Sequence, residues 1–371
     1  MKASQLGKPF RMNLLVEIPS QTNAVRMPSK MSIADLEFVP EGTPDSQPVA
    51  VLEESRQISL RRAAIPEPGT GEIRVRIRYV GICGSDLESY RGIRKPEFLS
   101  MPARLGHEVS GVIDKLGRGV HGLRVGQRVT CRYVWGAFAR YIVCKPFNVH
   151  AVPERLDDRD ISPMEVLPGI LHAAERAAIT PNTDVLITGQ GVSGLVMTQV
   201  AALYSPRTLA VTDLKPRNLE LARRYGATHA YQVPSSTGST MEAVREDFPD
   251  GFEVVIPCLL EGDGMIDALE ACSFGGRIIL YGCIAPCHEF DWLKVHRKRV
   301  DILSTEPRRD IDMRRWFTEG VNLVEQGLVE FQSMITDIYP LERISEAFQR
   351  RDSSPADSIH ILVDCESGEG R

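Results

Sequence analysis

Residues 184–204 read DVLITGQGVSGLVMTQVAALY: a short apolar strand, a glycine-rich turn and an apolar helix, in that order. A GxGxxG arises by chance in many turns, but between a strand and a helix it specifies a βαβ unit. Gly189 permits the tight turn, Gly191 lets backbone approach a pyrophosphate, and Gly194 lets helix and strand pack closely. The N-terminus of the helix expected at 195–204 then offers unpaired N–H groups and a positive dipole end to the phosphates, and Val192 and Ser193, within the motif, join the glycines as candidate cofactor-binding residues. Residues 208–213 (TLAVTD) form the next strand. Its last residue, Asp213, lies about 20 residues past the final glycine, where a carboxylate accepts hydrogen bonds from an adenosine ribose. The competing role for Asp213 is a helix N-cap ahead of Pro216. A carboxylate there repels a 2′-phosphate, which favours NAD over NADP; Lys215 and Arg217 pull the other way.

The same rhythm continues through a helix at 218–225 and strands at 252–257 and 276–282, so this part is a parallel, doubly wound α/β sheet. Upstream the texture differs. Residues 72–80 (EIRVRIRYV) alternate polar and apolar side chains, as in a half-buried strand, after a turn marked by Pro66, Pro68, Gly69 and Gly71. Further short strands are expected at 109–112 and 127–130, and a helix begins near Ile170. A chain of 371 residues exceeds the roughly 250–300 at which single cores stop growing. The expected divisions are an extension at 1–48, a β-rich part at 49–165, the dinucleotide-binding domain at 166–304, and residues 305–371, with a helix at 313–326 and a strand at 359–363. The extension carries scattered prolines (9, 19, 28, 40, 44 and 48) and reads either as an irregular segment across the body or as a disordered arm.

A net charge of −5 lacks the basic footprint of a nucleic-acid binder. The apolar run at 195–204 is too short to span a bilayer. No clean secretory signal opens the chain, although residues 1–34 hold five basic residues against the single acid Glu17, the bias of an organellar presequence. Cytoplasm is the expectation. The eight cysteines, spread along a long chain, read mostly as small buried hydrophobes of a reducing compartment. Cys283 and Cys287 have no second pair at zinc-site spacing and read as core or loop.

Two stretches carry chemistry: Gly81-Ile-Cys83-Gly-Ser85-Asp86, directly after the alternating strand, and Gly106-His107-Glu108. A lone cysteine after a strand is usually a buried small residue, and a lone histidine is usually a hydrogen-bonded core or surface group. Their joint presence upstream of a dinucleotide fold changes the odds. Together with LRVGQRV (123–129), GAFARYIV (136–143) and GQGVSG (189–194), they resemble the zinc-dependent medium-chain dehydrogenase/reductase superfamily, in its alcohol, sorbitol and threonine dehydrogenase branches. The resemblance runs from about Val49 to the C-terminus.

It implies a GroES-like catalytic domain formed by both ends of the chain around a Rossmann domain. It also implies one catalytic zinc and NAD, a small alcohol or carbonyl substrate (a polyol, sugar or cyclitol foremost), and a homodimer or homotetramer. Cys83 and His107 match the first two zinc ligands. Glu165, in EVLPGILHA, matches the glutamate of the polyol branch; Glu108 is the other candidate for direct ligation, and the two stay open. The family's proline after that glutamate is Val166 here. Ser85 matches the hydroxyl that passes on the substrate proton, and Asp86 the carboxylate that orients the histidine ligand. Zinc would polarise the substrate oxygen while a hydride passes between substrate carbon and nicotinamide.

The chain departs from the pattern in two places. The lobe that holds a second, structural zinc looks deleted, since RVTCRYVW runs straight into GAF with Cys131 as its sole cysteine. The histidine usual five residues after the cysteine ligand is Glu88, a candidate outer proton relay. Basic residues crowd 294–315 (Lys294, Arg297, Lys298, Arg299, Arg308, Arg309, Arg314, Arg315) and read as a solvated face, with an anion site as the minority reading. The rival functions are a zinc-free quinone or enoyl reductase on the same fold and a catalytically silent binding protein.

Overall fold

Two hydrophobic periods build two sheets. The structure, a computed structural model, describes residues 33–93, 100–233, 242–259, 264–281, 290–305, 310–353 and 356–366. Residues 1–32, Cys283, Cys287, Arg308 and Arg309 lie outside them. Strands β1 (Ser46–Glu54) and β2 (Gln57–Ala64) form an antiparallel hairpin. Ile33 and Leu36 pack on Val49, Val51, Ala63 and Ala139, so the described part of the amino-terminal extension lies across the body. Its last residues, 46–48, already belong to β1.

In β3 (Ile73–Gly81) the alternation is literal: Ile73, Val75 and Ile77 are fully buried. Each such side chain contributes roughly 1.5–3 kcal/mol by leaving water. The arginines that alternate with them face outward, Arg74 to Asp114, and Arg76 and Arg78 both to Glu366. The chain continues through α1 (Gly84–Tyr90), β4 (Glu108–Leu116), β5 (Arg128–Cys131), β6 (Tyr141–Cys144) and β7 (Val149–Ala151). Two helices, α2 (Asp158–Ile161) and α3 (Leu167–Ala177), lead into the second unit.

There β8 (Asp184–Thr188), α4 (Val192–Leu203), β9 (Thr208–Asp213), α5 (Pro216–Arg224) and β10 (His229–Gln232) wind one way. Strands β11 (Phe252–Pro257), β12 (Cys272–Leu280) and β13 (Asp301–Ser304) wind the other. The order is β10-β9-β8-β11-β12-β13 with every pairing parallel. Val185 and Ile187 enter the core on one face of this sheet, and Leu186 enters the core on the other. The order reverses between β8 and β11, the switch point outside which a doubly wound sheet leaves a crevice.

The carboxyl-terminal strands β14 (Ile335–Pro340) and β15 (His360–Asp364) return to the first sheet, ordered β14-β15-β3-β4-β5-β7 with β6 pairing on β3. All three strands that pair with β3 run antiparallel to it. Gly81, at its end, pairs with Glu108 at the start of β4 and with Leu362 in β15, and the next amide, of Ile82, donates to the Ile361 carbonyl. The end of β3 and the beginnings of β4 and β15 therefore meet at one edge. Among the described residues no helix is long and apolar enough to cross a membrane.

Candidate active site

That meeting point brings three metal-type donors together. One ligand atom from each of Cys83, His107 and Glu108 lies within 4.8 Å of the others. Cys83 leaves β3 as the residue ahead of α1, and Glu108 opens β4 directly after His107. His107 and Glu108 are buried, whereas Cys83 keeps some exposure. A thiolate, an imidazole and a carboxylate form a donor set suited to zinc, with one position left for substrate or water. Nδ1 of His107 and Oε2 of Glu108 are buried with no hydrogen-bond partner, atoms whose burial costs free energy unless something compensates it.

Asp86 ties the loops together. It is fully buried, accepts from the Cys83 amide at 3.2 Å and the Gly106 amide at 2.9 Å, and sets Oδ1 3.6 Å from His107 Nδ1. Burial pushes the Cys83 thiol up, reinforced by the Glu108 carboxylate and opposed by His107. Burial alone would lower His107, yet Asp86 and Cys83 hold it well above the ordinary imidazole value. Glu108 would be raised by burial, but His360 and His107 bring it below the usual carboxylate range.

The remaining metal candidate has a different partner. Glu165 lies in a 3-10 turn at Ser162–Val166, where Arg132 donates to its Oε1 at 3.0 Å and to its carbonyl at 2.5 Å. Arg132 and Glu165 side chains are 11% and 13% exposed, so this pair is more than a screened surface contact. Glu165 is absent from the donor trio. Ser85 and Glu88 ride on α1 beside Cys83, both half-buried; the Ser85 carbonyl accepts from Ser89 Oγ at 2.9 Å.

The glycine turn adopts the conformation its sequence demands. Gly189 has φ +81°, and a Cβ on Gly194 would collide with the Gly189 carbonyl. Gly191 faces open space, with nothing within 4 Å of where a Cβ would stand. No side chain caps α4. Val192 and Ser193 occupy its first turn half-exposed, with Tyr281 Oη 3.4 Å from Ser193 Oγ. Asp213, at the end of β9, accepts from the Gln190 amide at 2.6 Å, the Lys215 amide at 2.7 Å and Asn218 Nδ2 at 3.2 Å. Its carboxylate therefore braces the cradle and the start of α5 together. Lys215 Nζ donates to the Ser358 carbonyl at 3.0 Å and Arg217 Nη1 to the Asp357 carbonyl at 2.8 Å.

Sequence reasoning missed Arg132 and His360. Arg132 belongs to no motif. His360 stands in a run, HILVD, that signals only a strand. The described members of the basic run are dispersed: Lys294 pairs with Glu270, Lys298 donates to the Leu269 carbonyl, and Arg315 pairs with Glu175.

Comparison with known proteins places the chain in a family. The alcohol dehydrogenase GroES-like domain matches residues 69–154, and the zinc-binding dehydrogenase family matches residues 193–315. The chain belongs to the zinc-dependent medium-chain dehydrogenase/reductase superfamily and is an oxidoreductase acting on CH–OH groups. It is 26% identical over 353 residues to sorbitol dehydrogenase of Bacillus subtilis (strain 168), covering 86% of this chain and 98% of that one. It is 27% identical over 316 residues to L-threonine 3-dehydrogenase of Anaeromyxobacter sp., covering 77% and 90%. A solved Escherichia coli CFT073 structure, described as a short chain alcohol dehydrogenase complexed with NADH, aligns with a TM-score of 0.76 at 24% identity, over 86% of this chain and 99% of that one.

Proposed function

We propose that this protein is an NAD-linked zinc dehydrogenase of secondary alcohols, with a polyol, sugar or cyclitol as substrate. The observation that carries this is the Cys83–His107–Glu108 trio, with Asp86 behind it, in a chain that also builds a dinucleotide cradle ending on a carboxylate. Zinc held by Cys83, His107 and Glu108 supplies Lewis acidity to the substrate oxygen, and NAD supplies the hydride acceptor. Glu108 is the third protein ligand in this reading, because Glu165 is engaged by Arg132. Asp86 orients His107, Ser85 takes the substrate proton, and Glu88 hands it outward. Gly189, Gly191, Val192, Ser193 and Gly194 hold the pyrophosphate, and Asp213 the adenosine ribose. With Lys215 and Arg217 committed to backbone carbonyls, Asp213 sets the preference for NAD.

The domain division belongs to the same reading: a catalytic unit from both ends of the chain, a Rossmann unit at 166–304, and a cleft between them, in a cytoplasmic protein. A homodimer or homotetramer fits the edge strand β13 and the helix Trp292–Lys298 just before it, in which no residue is buried and Trp292 is 68% exposed. Light scattering reads that directly.

The deciding experiment follows NADH absorbance with zinc-loaded protein over a panel of polyols, sugar alcohols, cyclitols, simple secondary alcohols and L-threonine, alongside elemental analysis. One zinc per chain and turnover best on a polyhydroxy alcohol are expected. A zinc-free protein reducing quinones or enoyl substrates, or one that turns over nothing, would overturn the proposal.

A further inference from the structure

Beside Glu108, and buried, stands a histidine that no motif announces. His360 opens β15, where its carbonyl accepts from Thr336 Oγ1 at 3.1 Å and the next carbonyl, of Ile361, accepts from the Ile82 amide at 3.0 Å. The first bond ties the strand to β14, and the second holds it beside Ile82, one residue from Cys83. The imidazole is 1% exposed, and its Nε2 lies 3.1 Å from Glu108 Oε2. Neither ring nitrogen has an aligned hydrogen-bond partner, and neither has Glu108 Oε2.

A buried carboxylate oxygen and a buried ring nitrogen, each without an aligned partner and 3.1 Å apart, are costly to maintain for packing alone. The chain also leaves room for them. A Cβ on Gly81 would collide with Glu108 Oε2 and stand 2.7 Å from His360 Nε2. The third strand of the meeting point is thus bare where the other two bring their side chains together.

We propose that His360 is a positioning residue for the metal: it holds Oε2 of Glu108 and so keeps the carboxylate turned with its other oxygen toward Cys83 and His107. This rests on the reading of Glu108 as a zinc ligand, and the experiment separates the two. Groups behind metal ligands set ligand orientation, and their loss typically costs roughly 10–100-fold in metal affinity. His360 acts from outside the donor trio, so its effect passes through Glu108.

The test uses the full-length protein with zinc or cobalt(II). Zinc affinity is read by chelator competition and ligand geometry from the cobalt d–d spectrum, for wild type, His360→Ala, His360→Gln, Glu108→Gln and the double variant Glu108→Gln/His360→Ala. The expected result is a roughly 10–100-fold loss of zinc affinity in His360→Ala with a shifted cobalt spectrum. Partial recovery is expected in His360→Gln, which keeps a donor of similar reach and guards against a folding failure in the alanine variant. Removing His360 in the Glu108→Gln background should cost less than about 2-fold more, because a role exerted through Glu108 is non-additive with it. Wild-type affinity and spectrum in both His360 variants, or additive losses in the double variant, would overturn the proposal. If Glu108→Gln itself leaves affinity and spectrum unchanged, the ligand reading fails and this inference falls with it.

Discussion

Between Asp184 and Asp213 the dinucleotide cradle is assembled from one unbroken run of chain: β8, the glycine turn, α4 and β9. The candidate metal cluster instead draws on Cys83, His107 and Glu108, with His360 beside them, from segments that meet only because β4 and β15 flank the same end of β3. In the cradle, function and packing share residues: Gly194 lets α4 approach β8, and Asp213 braces the turn it serves. In the cluster, the donors line the end of a sheet whose core, around Ile73, Val75 and Ile77, lies further along. Injury to the cradle should therefore reach the fold, whereas injury to the cluster should stay chemical.

The largest expected effect is on chemistry. Cys83→Ala should lower kcat by about 10³-fold or more, since a Lewis acid supplies several kcal/mol at the developing oxyanion. Zinc content should fall from one per chain toward zero, while the Tm of metal-free protein stays within about 2 °C of wild type. Next comes Asp213→Ala. Losing charge-assisted hydrogen bonds worth about 1.5–3 kcal/mol should reduce kcat/KM with NAD by roughly 10–100-fold and change the NADP value far less. A wild-type enzyme that prefers NADP would show that Lys215 or Arg217 governs the pocket.

Gly194→Ala bears on the comparison most directly. Forcing a methyl against the Gly189 carbonyl should cost about 1–3 kcal/mol, seen as a Tm roughly 2–9 °C lower, together with about 10-fold weaker NAD binding. Should Cys83→Ala lower the metal-free Tm as far as Gly194→Ala does, the contrast between a structural cradle and an applied cluster is lost. The smallest effect is reserved for Glu88→Gln, a loss of about 10-fold or less in kcat with an altered pH profile. Superimposable profiles for the variant and wild type would remove Glu88 from the proton path.

Where an element depends on contiguous residues, reading the chain was enough. The alternation at 72–80 became β3, residues 252–257 became β11 with the same bounds, and the glycines took the positions their spacing implied. The hairpin of β1 and β2 was not read because Ser46 to Leu52 are buried on both faces, which erases the period of two. A strand hidden on both sides reads as an apolar run with no direction.

The candidate site divides along the same line. Cys83, His107 and Asp86 could be singled out because they lie within two short motifs, and the structure brings the three together. Neither Arg132, which takes Glu165, nor His360, which faces Glu108, has a local signal, since each meets its partner across a long separation in sequence. The sequence by itself determined the two periodicities, the glycine turn and the stock of donors, all set by neighbouring backbone and side chains. Which glutamate joined Cys83 and His107 was decided by tertiary structure. Strand register alone settles which side chains face one another across a sheet, and a slip of one residue in β4 or β15 would have turned Glu108 or His360 to the opposite face.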